Sequence, residues 1–524
     1  DCLYEPLVRY TLPDLDIEPG VAERWEISED GRTYTFYLRD TARWSNGDPV
    51  TAEDFVYAWR RAMLPDLAAD YTQLMWLIDG AEALFQLREA QLETLGNDGG
   101  DAQTLYDEAM AYFDTHVGLR AVDAHTLEVR LVRPTPYFLE MCAFVTFLPA
   151  HRSSLEAFET LDPQTGTVRR DDGYFGDPKR LISNGPYRLA GRRFKRDVDL
   201  LANEHYWDAQ NVTLKSIRER IVQDVNTALH QYEAGEIDWL PDVPTADETA
   251  ARLIEQRRDD THLVPAVGQY FYNFNCIETL EDGSPNPNFV PLKVRQALSM
   301  AINREAIVRD ITRMGQPVAV TYIPETVLPG YDSPTEAGYR YDIQRARALL
   351  AEAGYPGGEG LTGLKILYNN NYGHESIARY IKRSWEGELG VVVGLEGVEV
   401  NQFKDRLKNH QFSICRASWF GEYRDPTTWL DKRRPDNGNN DCGYSNPEYD
   451  ALLDQAAAET DTARRMALLR EAEAMLLGDA PMAFMYQYVN MHMFDPAKVR
   501  GLHPNGWNRT RLDRVEVVRS DAGG

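Results

Sequence analysis

A chain of 524 residues is too long for one hydrophobic core and predicts about two to four domains. Hydrophobic residues make up 43% and charged residues 26%, ordinary for a soluble globular protein. The net charge of −26, from 56 basic and 82 acidic residues, argues against nucleic acid and anionic membrane surfaces as partners, because both repel an acidic face.

The five cysteines, at 2, 142, 276, 415 and 442, form no C-x-x-C pair. Their odd number leaves at least one unpaired and implies no disulfide framework. No apolar run approaches the roughly eighteen residues of a membrane span. The longest, Met141–Pro149, ends in proline and reads as a buried strand. No signal peptide is written into the chain. Leu3–Val8 reads as the middle of an element, so the expectation is that residues upstream have been removed.

In chain order, Tyr34, Phe36 and Leu38 share one face of a strand, with Thr33, Thr35 and Tyr37 on the other. Ser45–Pro49 is a turn by its residues. Thr51 and Asp54 then have the spacing of a capping box. Behind them Phe55, Ala58, Trp59, Ala62 and Met63 mark the core stripe of a helix. Residues 80–118 read as a helical hairpin broken at Gly96–Gly100. Thr126–Val132 is a strand, and Ser183–Tyr187 a turn leading into another. Asn203–Asp208 is a compact turn. A helix over Asn226–Ala234 is capped by Gly235, and Glu236–Leu240 is a strand.

A boundary is expected near 265. Gln269–Asn275 (QYFYNFN) alternates aromatic and polar residues as a strand does. The Pro-rich Ser284–Pro291 is a loop. Val294, Ala297, Leu298, Ala301 and Ile302 form a helical stripe. Helices follow at Arg345–Ala353 and Ser376–Leu389, with a strand at Leu364–Asn369 between them. Pro447 opens a helix marked by Tyr449, Leu452, Leu453, Ala456 and Ala457. Strands near Met482–Met491 and Arg514–Val518 close the chain. The class is mixed α/β.

Catalytic signatures are missing. His374-Glu375 opens as H-E-x-x-H, but the fifth residue is Ala378. There is no G-x-x-x-x-G-K, G-x-S-x-G or G-x-G-x-x-G. Gly354–Gly360 follows a helix and reads as its cap. Carboxylates are too numerous for a glycosidase pair to be singled out or excluded. The expectation is a binding protein with no enzymatic activity, no cofactor and no metal.

Arg416–Leu430 (RASWFGEYRDPTTWL) carries the candidate site. Trp419, Phe420, Tyr423 and Trp429 surround Glu422, and Gly421 permits close backbone approach. A carboxylate walled off by rings keeps its charge only when a cation pairs with it, so the stretch reads as an anchor for an amine. A surface loop in which Glu422 and Asp425 pair with Arg416 and Arg424 fits the same residues. Trp25, Trp44 and Trp59 read as core.

Gly20–Trp25 (GVAERW), Tyr34–Arg39 (YTFYLR) and Trp44–Phe55 (WSNGDPVTAEDF) form one long pattern. It resembles the family-5 extracellular solute-binding proteins, the oligopeptide- and dipeptide-binding proteins of ABC transporters. Ser183–Tyr187, Asn203–Asp208, Val294–Arg304, Leu349–Tyr355 and Arg416–Leu430 resemble the same family, so the likeness runs nearly end to end.

The resemblance implies an α/β, two-lobe, periplasmic-binding-protein-like fold with a third small domain inserted in the first lobe. The insert falls at 4–147, with the helical insertion near 80–118. The first lobe falls at 148–265, completed by 485–524, and the second at 266–484. Such proteins work outside the cytoplasmic membrane, periplasmic or lipid-anchored. They close like a hinge on a peptide ligand and hand it to an ABC transporter permease; a monomer is expected. By the same likeness Glu422, where the family has Asp, meets the peptide ammonium. Ser418, Trp419 and Phe420 offer backbone hydrogen bonds. Arg416 and His374 are the cationic groups toward the ligand carboxylate. A segment pairing with the peptide from the first lobe is expected ahead of Asp1. Cys2 lies inside the matched pattern and is not expected to carry a lipid. Two alternatives remain: an oligosaccharide binder stacking sugars on Trp419, Tyr423 and Trp429, and a hydrolase.

Overall fold

The computed structural model describes residues 2–518 other than 70, 172, 242, 244–247, 326, 329, 371 and 372, with the side chains of 98, 225 and 248 set aside. Its contacts divide the chain into two units. One comprises Asp1–Ala228, Pro496–His503 and Arg509–Gly524; the other comprises Leu229–Asp495 and Pro504–Asn508.

In the first unit, Ala22–Ile27, Thr33–Leu38, Thr126–Arg130 and Leu119–Asp123 form an antiparallel sheet in that spatial order. Tyr34, Phe36 and Leu38 are buried, as their alternation requires. The helix Ala52–Met63 starts with the capping box. The Thr51 amide donates to Asp54 Oδ2 at 2.8 Å, and the Trp44 indole donates to the same oxygen at 3.1 Å. Sequence positions 44 to 54 are thereby tied into one corner. The helical hairpin is Ala81–Asp98 and Ala102–His116, with Asp101 as the second N-cap. The first helix runs through Gly96, and the break is confined to Gly99 and Gly100.

A second sheet of this unit orders Ser216–Arg220, Asp197–Ala202 and Tyr187–Arg193. The two turns expected beside it are joined, because Asn203 Nδ2 donates to Gly185 O at 2.9 Å. Met141–Pro149 is not a strand. Phe138–Cys142 is a short helix and Val145–Phe147 a 3-10 turn. Phe138, Met141 and Cys142, at spacings of three and four, all reach the interior.

The second unit is built on a six-stranded mixed sheet. Its order is Trp239–Leu240, Met482–Phe494, Thr261–Phe274, Ile414–Phe420, Lys365–Asn369 and Gly394–Val398. The two long strands pair antiparallel, and the boundary expected near 265 falls inside one of them. Lys365–Asn369 runs parallel to both of its neighbours.

The central strand Thr261–Phe274 feeds two cores. Tyr270, Tyr272 and Phe274 pack with residues of the helices Leu292–Met300, Ile343–Glu352 and His374–Ser384. Val267 and Phe271 pack with Trp429, Leu430 and the helices Pro447–Ala458 and Thr462–Asp479. The sheet is therefore covered on both faces. Gln269 and Asn273, the polar members of the alternating run, are buried as well.

Candidate functional site

The strand Ile414–Phe420 pairs along its whole length with Thr261–Phe274, Phe420 opposite Gly268 and Ile414 opposite Phe274. On its other side Lys365–Asn369 covers only Ile414 and Cys415. The Gly421 amide donates to Val267 O at 3.0 Å, which sets the phase of the antiparallel ladder. Cys415, Ala417 and Trp419 turn their main-chain groups to Thr261–Phe274, and Arg416, Ser418 and Phe420 turn theirs the other way. Past Cys415, no strand among the described residues of this unit takes up those groups. The main chain at Ser418 and Phe420 is thus an open strand edge, a template for one more strand.

Charged clusters lie along and just past this edge. Arg416 donates through Nη2 to Tyr488 Oη at 3.2 Å and to Ser418 Oγ at 3.5 Å. Its guanidinium carbon sits 5.2 Å from the Tyr270 ring centroid. Among the described residues no carboxylate lies within ion-pair distance of Arg416, and its buried Nε has no hydrogen-bond partner. A poorly hydrated cation without a counter-ion is costly to hold. His374 stands beside it, with Nδ1 3.2 Å from Tyr270 Oη. Burial, and then the Arg416 charge, push its imidazole from the ordinary 6.5 down to about 3. The ring is neutral at pH 7, so of the two expected cations only Arg416 carries charge.

The other cluster follows the strand. A Cβ at Gly421 would come within 2.5 Å of the Trp429 ring and 3.1 Å of Trp507, so only glycine fits. Thr428 organises the turn: its carbonyl accepts from the Trp419 indole at 3.0 Å, and its hydroxyl accepts from the Glu422 amide at 3.0 Å. Asp425 receives both guanidinium nitrogens of buried Arg465, at 2.6 and 2.9 Å. A helical turn, Thr427–Leu430, then reverses the chain and brings Lys432 back to Glu422.

The Lys432 ammonium lies 3.5 Å from Glu422 Oε2 and 4.4 Å from the Trp419 ring centroid. Both charged residues are buried. Burial pushes the Glu422 carboxyl up and the Lys432 ammonium down, and each pulls the other back toward its charged form. Glu422 is therefore not a lone anion. The surface-loop pairing is also corrected, since Glu422 meets Lys432 and Asp425 meets Arg465, neither of them Arg416.

The structure brings Arg416, Ser418 and His374 together around Tyr270 and Tyr488. It brings Glu422 and Trp419 together around Lys432 and Thr428. Phe420 is exposed, its ring 5.0 Å from that of Tyr488 and against Gly268. Tyr423 and Trp429 are buried and Trp419 carries Lys432 over its ring, so the three do not form an open stacking surface for sugars. Tyr270, Tyr488, Thr428 and Lys432 were not expected from the sequence. Tyr270 in the QYFYNFN run, Thr428 in the Arg416–Leu430 stretch and Tyr488 in the expected strand near Met482–Met491 had local signals, and Lys432 had none.

Among the described residues no group of three or more His, Cys, Asp or Glu is placed to hold a metal ion, and no helix is long and apolar enough to cross a membrane. The profile of bacterial extracellular solute-binding proteins, family 5 Middle, matches residues 16–441. The oligopeptide-binding protein OppA of Bacillus subtilis (strain 168) is 33% identical over 499 residues, covering 94% of this chain and 83% of its own length. The periplasmic murein peptide-binding protein MppA of Escherichia coli (strain K12) is 31% identical over 487 residues, covering 92% and 81%. Among solved structures, a periplasmic oligopeptide-binding protein of Borrelia burgdorferi matches with a TM-score of 0.77 at 27% identity, covering 98% of this chain and 94% of that one.

The chain belongs to the bacterial extracellular solute-binding proteins of family 5. The α/β two-lobe class implied by the sequence resemblance is the class of its structural neighbours.

Proposed function

We propose that this protein captures oligopeptides outside the cytoplasmic membrane and delivers them to an ABC transporter permease, acting as a monomeric binder and not as an enzyme. The relatives named for oligopeptides and murein peptides support the ligand class. The observation that carries the reading is the open edge at Ser418 and Phe420, with an uncompensated cation, Arg416, at its start. An extended peptide adds to such an edge through main-chain hydrogen bonds that ignore its sequence, and the end groups supply orientation. We assign the ligand carboxylate to Arg416, with neutral His374 as a further polar contact through Tyr270. The ammonium end is assigned to the neighbourhood of Glu422. Arg416 to Phe420 spans about 13 Å at roughly 3.3 Å per residue, room for a ligand of about three or four residues.

The division of the chain belongs to the same proposal, with an insert at 4–147 and a first lobe from 148; the expected limits at 265 and 485 fall inside the strands Thr261–Phe274 and Met482–Phe494, so the second lobe is taken as the unit Leu229–Asp495 with Pro504–Asn508. The place of work is the periplasmic or extracellular face of the cytoplasmic membrane. Native mass spectrometry of the purified protein tests the reading. Co-purified masses that fragment as peptides are expected, and calorimetry with synthetic tri- and tetrapeptides should return saturable binding. A co-purified oligosaccharide, or no peptide binding at any concentration, overturns it.

A further inference from the structure

The carboxylate assigned to the ligand ammonium already has an amine beside it. Lys432 and Glu422 are each other's only ion-pair partner among the described residues, and both are buried. The pair is loosely made. Its 3.5 Å separation exceeds the about 2.7–2.9 Å of a well-formed charge-assisted hydrogen bond. Glu422 Oε2, the oxygen nearest the ammonium, has no hydrogen-bond partner. The carboxylate is neutralised in charge, and its Oε2 is buried with that one loose contact in place of a hydrogen bond. The Lys432 ammonium also lies over the Trp419 ring, a face that would otherwise be free to meet an incoming cation.

We propose that Lys432 is an internal competitor for the ligand ammonium at Glu422, relaxing the demand for a free α-amine so that N-blocked peptides are accepted. The inference rests on the peptide reading above. A ligand ammonium beside Glu422 would share one carboxylate with a second, fixed ammonium, and like charges at close range in a poorly solvated site repel. A neutral amide N–H, as on an N-acylated peptide, can meet the carboxylate without adding charge. The chemical class favoured is therefore a short peptide with a free carboxylate and either a free or an acylated N-terminus.

The test compares a free-amine tripeptide with its N-acetyl form by calorimetry, on the wild type and on Lys432→Met and Lys432→Gln. The wild type is expected to hold the two forms within about tenfold of each other. Removing the competitor should tighten the free-amine peptide by roughly tenfold or more, the effect of one hydrogen bond to a charged group, and leave the acetylated one unchanged. Lys432→Gln serves where the methionine variant does not fold, and thermal unfolding monitors both. An unchanged ratio of the two affinities in the variants overturns the proposal, as does a wild type that rejects the acetylated peptide by more than about a hundredfold. Failure of both peptides to bind the wild type overturns the peptide reading as well, so the two failures are told apart.

Discussion

Replacing Arg416 by methionine separates a binding group from a structural one. The guanidinium spends its hydrogen bonds on two neutral hydroxyls, at 3.2 and 3.5 Å, and on the face of Tyr270. Among the described residues it has no acid to leave stranded, so Arg416→Met removes an uncompensated charge and keeps most of the apolar stem. The lost cation–π contact is worth about 0.5–1 kcal/mol, and relief of the poorly hydrated charge works against it. Unfolding stability should therefore change by less than about 1 kcal/mol.

Binding should respond differently. A hydrogen bond between the guanidinium and a ligand carboxylate contributes about 1.5–3 kcal/mol, or roughly ten- to 150-fold in affinity. Calorimetry with a tripeptide as free acid and as C-terminal amide isolates this contact. The wild type should prefer the acid by that factor, and the variant should bind acid and amide alike. If the variant weakens both peptides equally, or loses several kcal/mol of stability, Arg416 holds the strand and not the ligand.

Other consequences concern the scaffold of the same site. Asp425→Asn breaks a doubly hydrogen-bonded buried pair, so urea unfolding should register a loss of about 3–5 kcal/mol; a loss below about 1 kcal/mol would show that the turn does not depend on it. Gly421→Ala drives a methyl into the Trp429 ring and should cost about 1–3 kcal/mol, with quenched or shifted tryptophan fluorescence as the local readout. His374 is held far below its unfolded pKa, so the folded protein binds fewer protons than the unfolded chain between pH 6.5 and about 3. Its contribution to stability is present above 6.5 and drains away as pH falls through that window. Calorimetric melting at pH 7 and 4.5 should show a smaller acid loss for His374→Gln than for the wild type, and parallel losses would contradict the assignment.

The periodic elements were legible because burial repeats with the backbone. Tyr34, Phe36 and Leu38 lie on one face of their strand, and Val294, Ala297 and Leu298 on one stripe of their helix. Met141–Pro149 misled because an apolar run has no visible period, and here Phe138 supplies the missing helical partner from outside the run. The helix Thr462–Asp479 drew no expectation at all, although Asp461 caps it and Leu469, Ala472 and Leu476 form its buried stripe. Its many Arg and Glu residues blur the contrast between faces. Arg465 and Glu473, both charged, are buried in it as partners of Asp425 and of the Tyr322, Ile323 and Tyr331 donors.

Lys432 was invisible for a different reason. It sits in Asp431-Lys432-Arg433-Arg434, which reads as solvated charge, ten positions from Glu422. Only the turn Thr427–Leu430, held through Thr428 and the Asp425–Arg465 pair, folds it back over Trp419. This changes how the energy is shared between the two ends of the site. A single carboxylate among rings places the affinity at the ligand's amine. The structure compensates that carboxylate from within and leaves Arg416 without an anion among the described residues, so the larger electrostatic gain on binding lies at the ligand's acid end. Affinity should then follow the ligand's carboxylate more closely than its ammonium. A series of peptides blocked at one end, the other, or both would order itself accordingly, with the C-terminal amide the weaker of the two singly blocked forms.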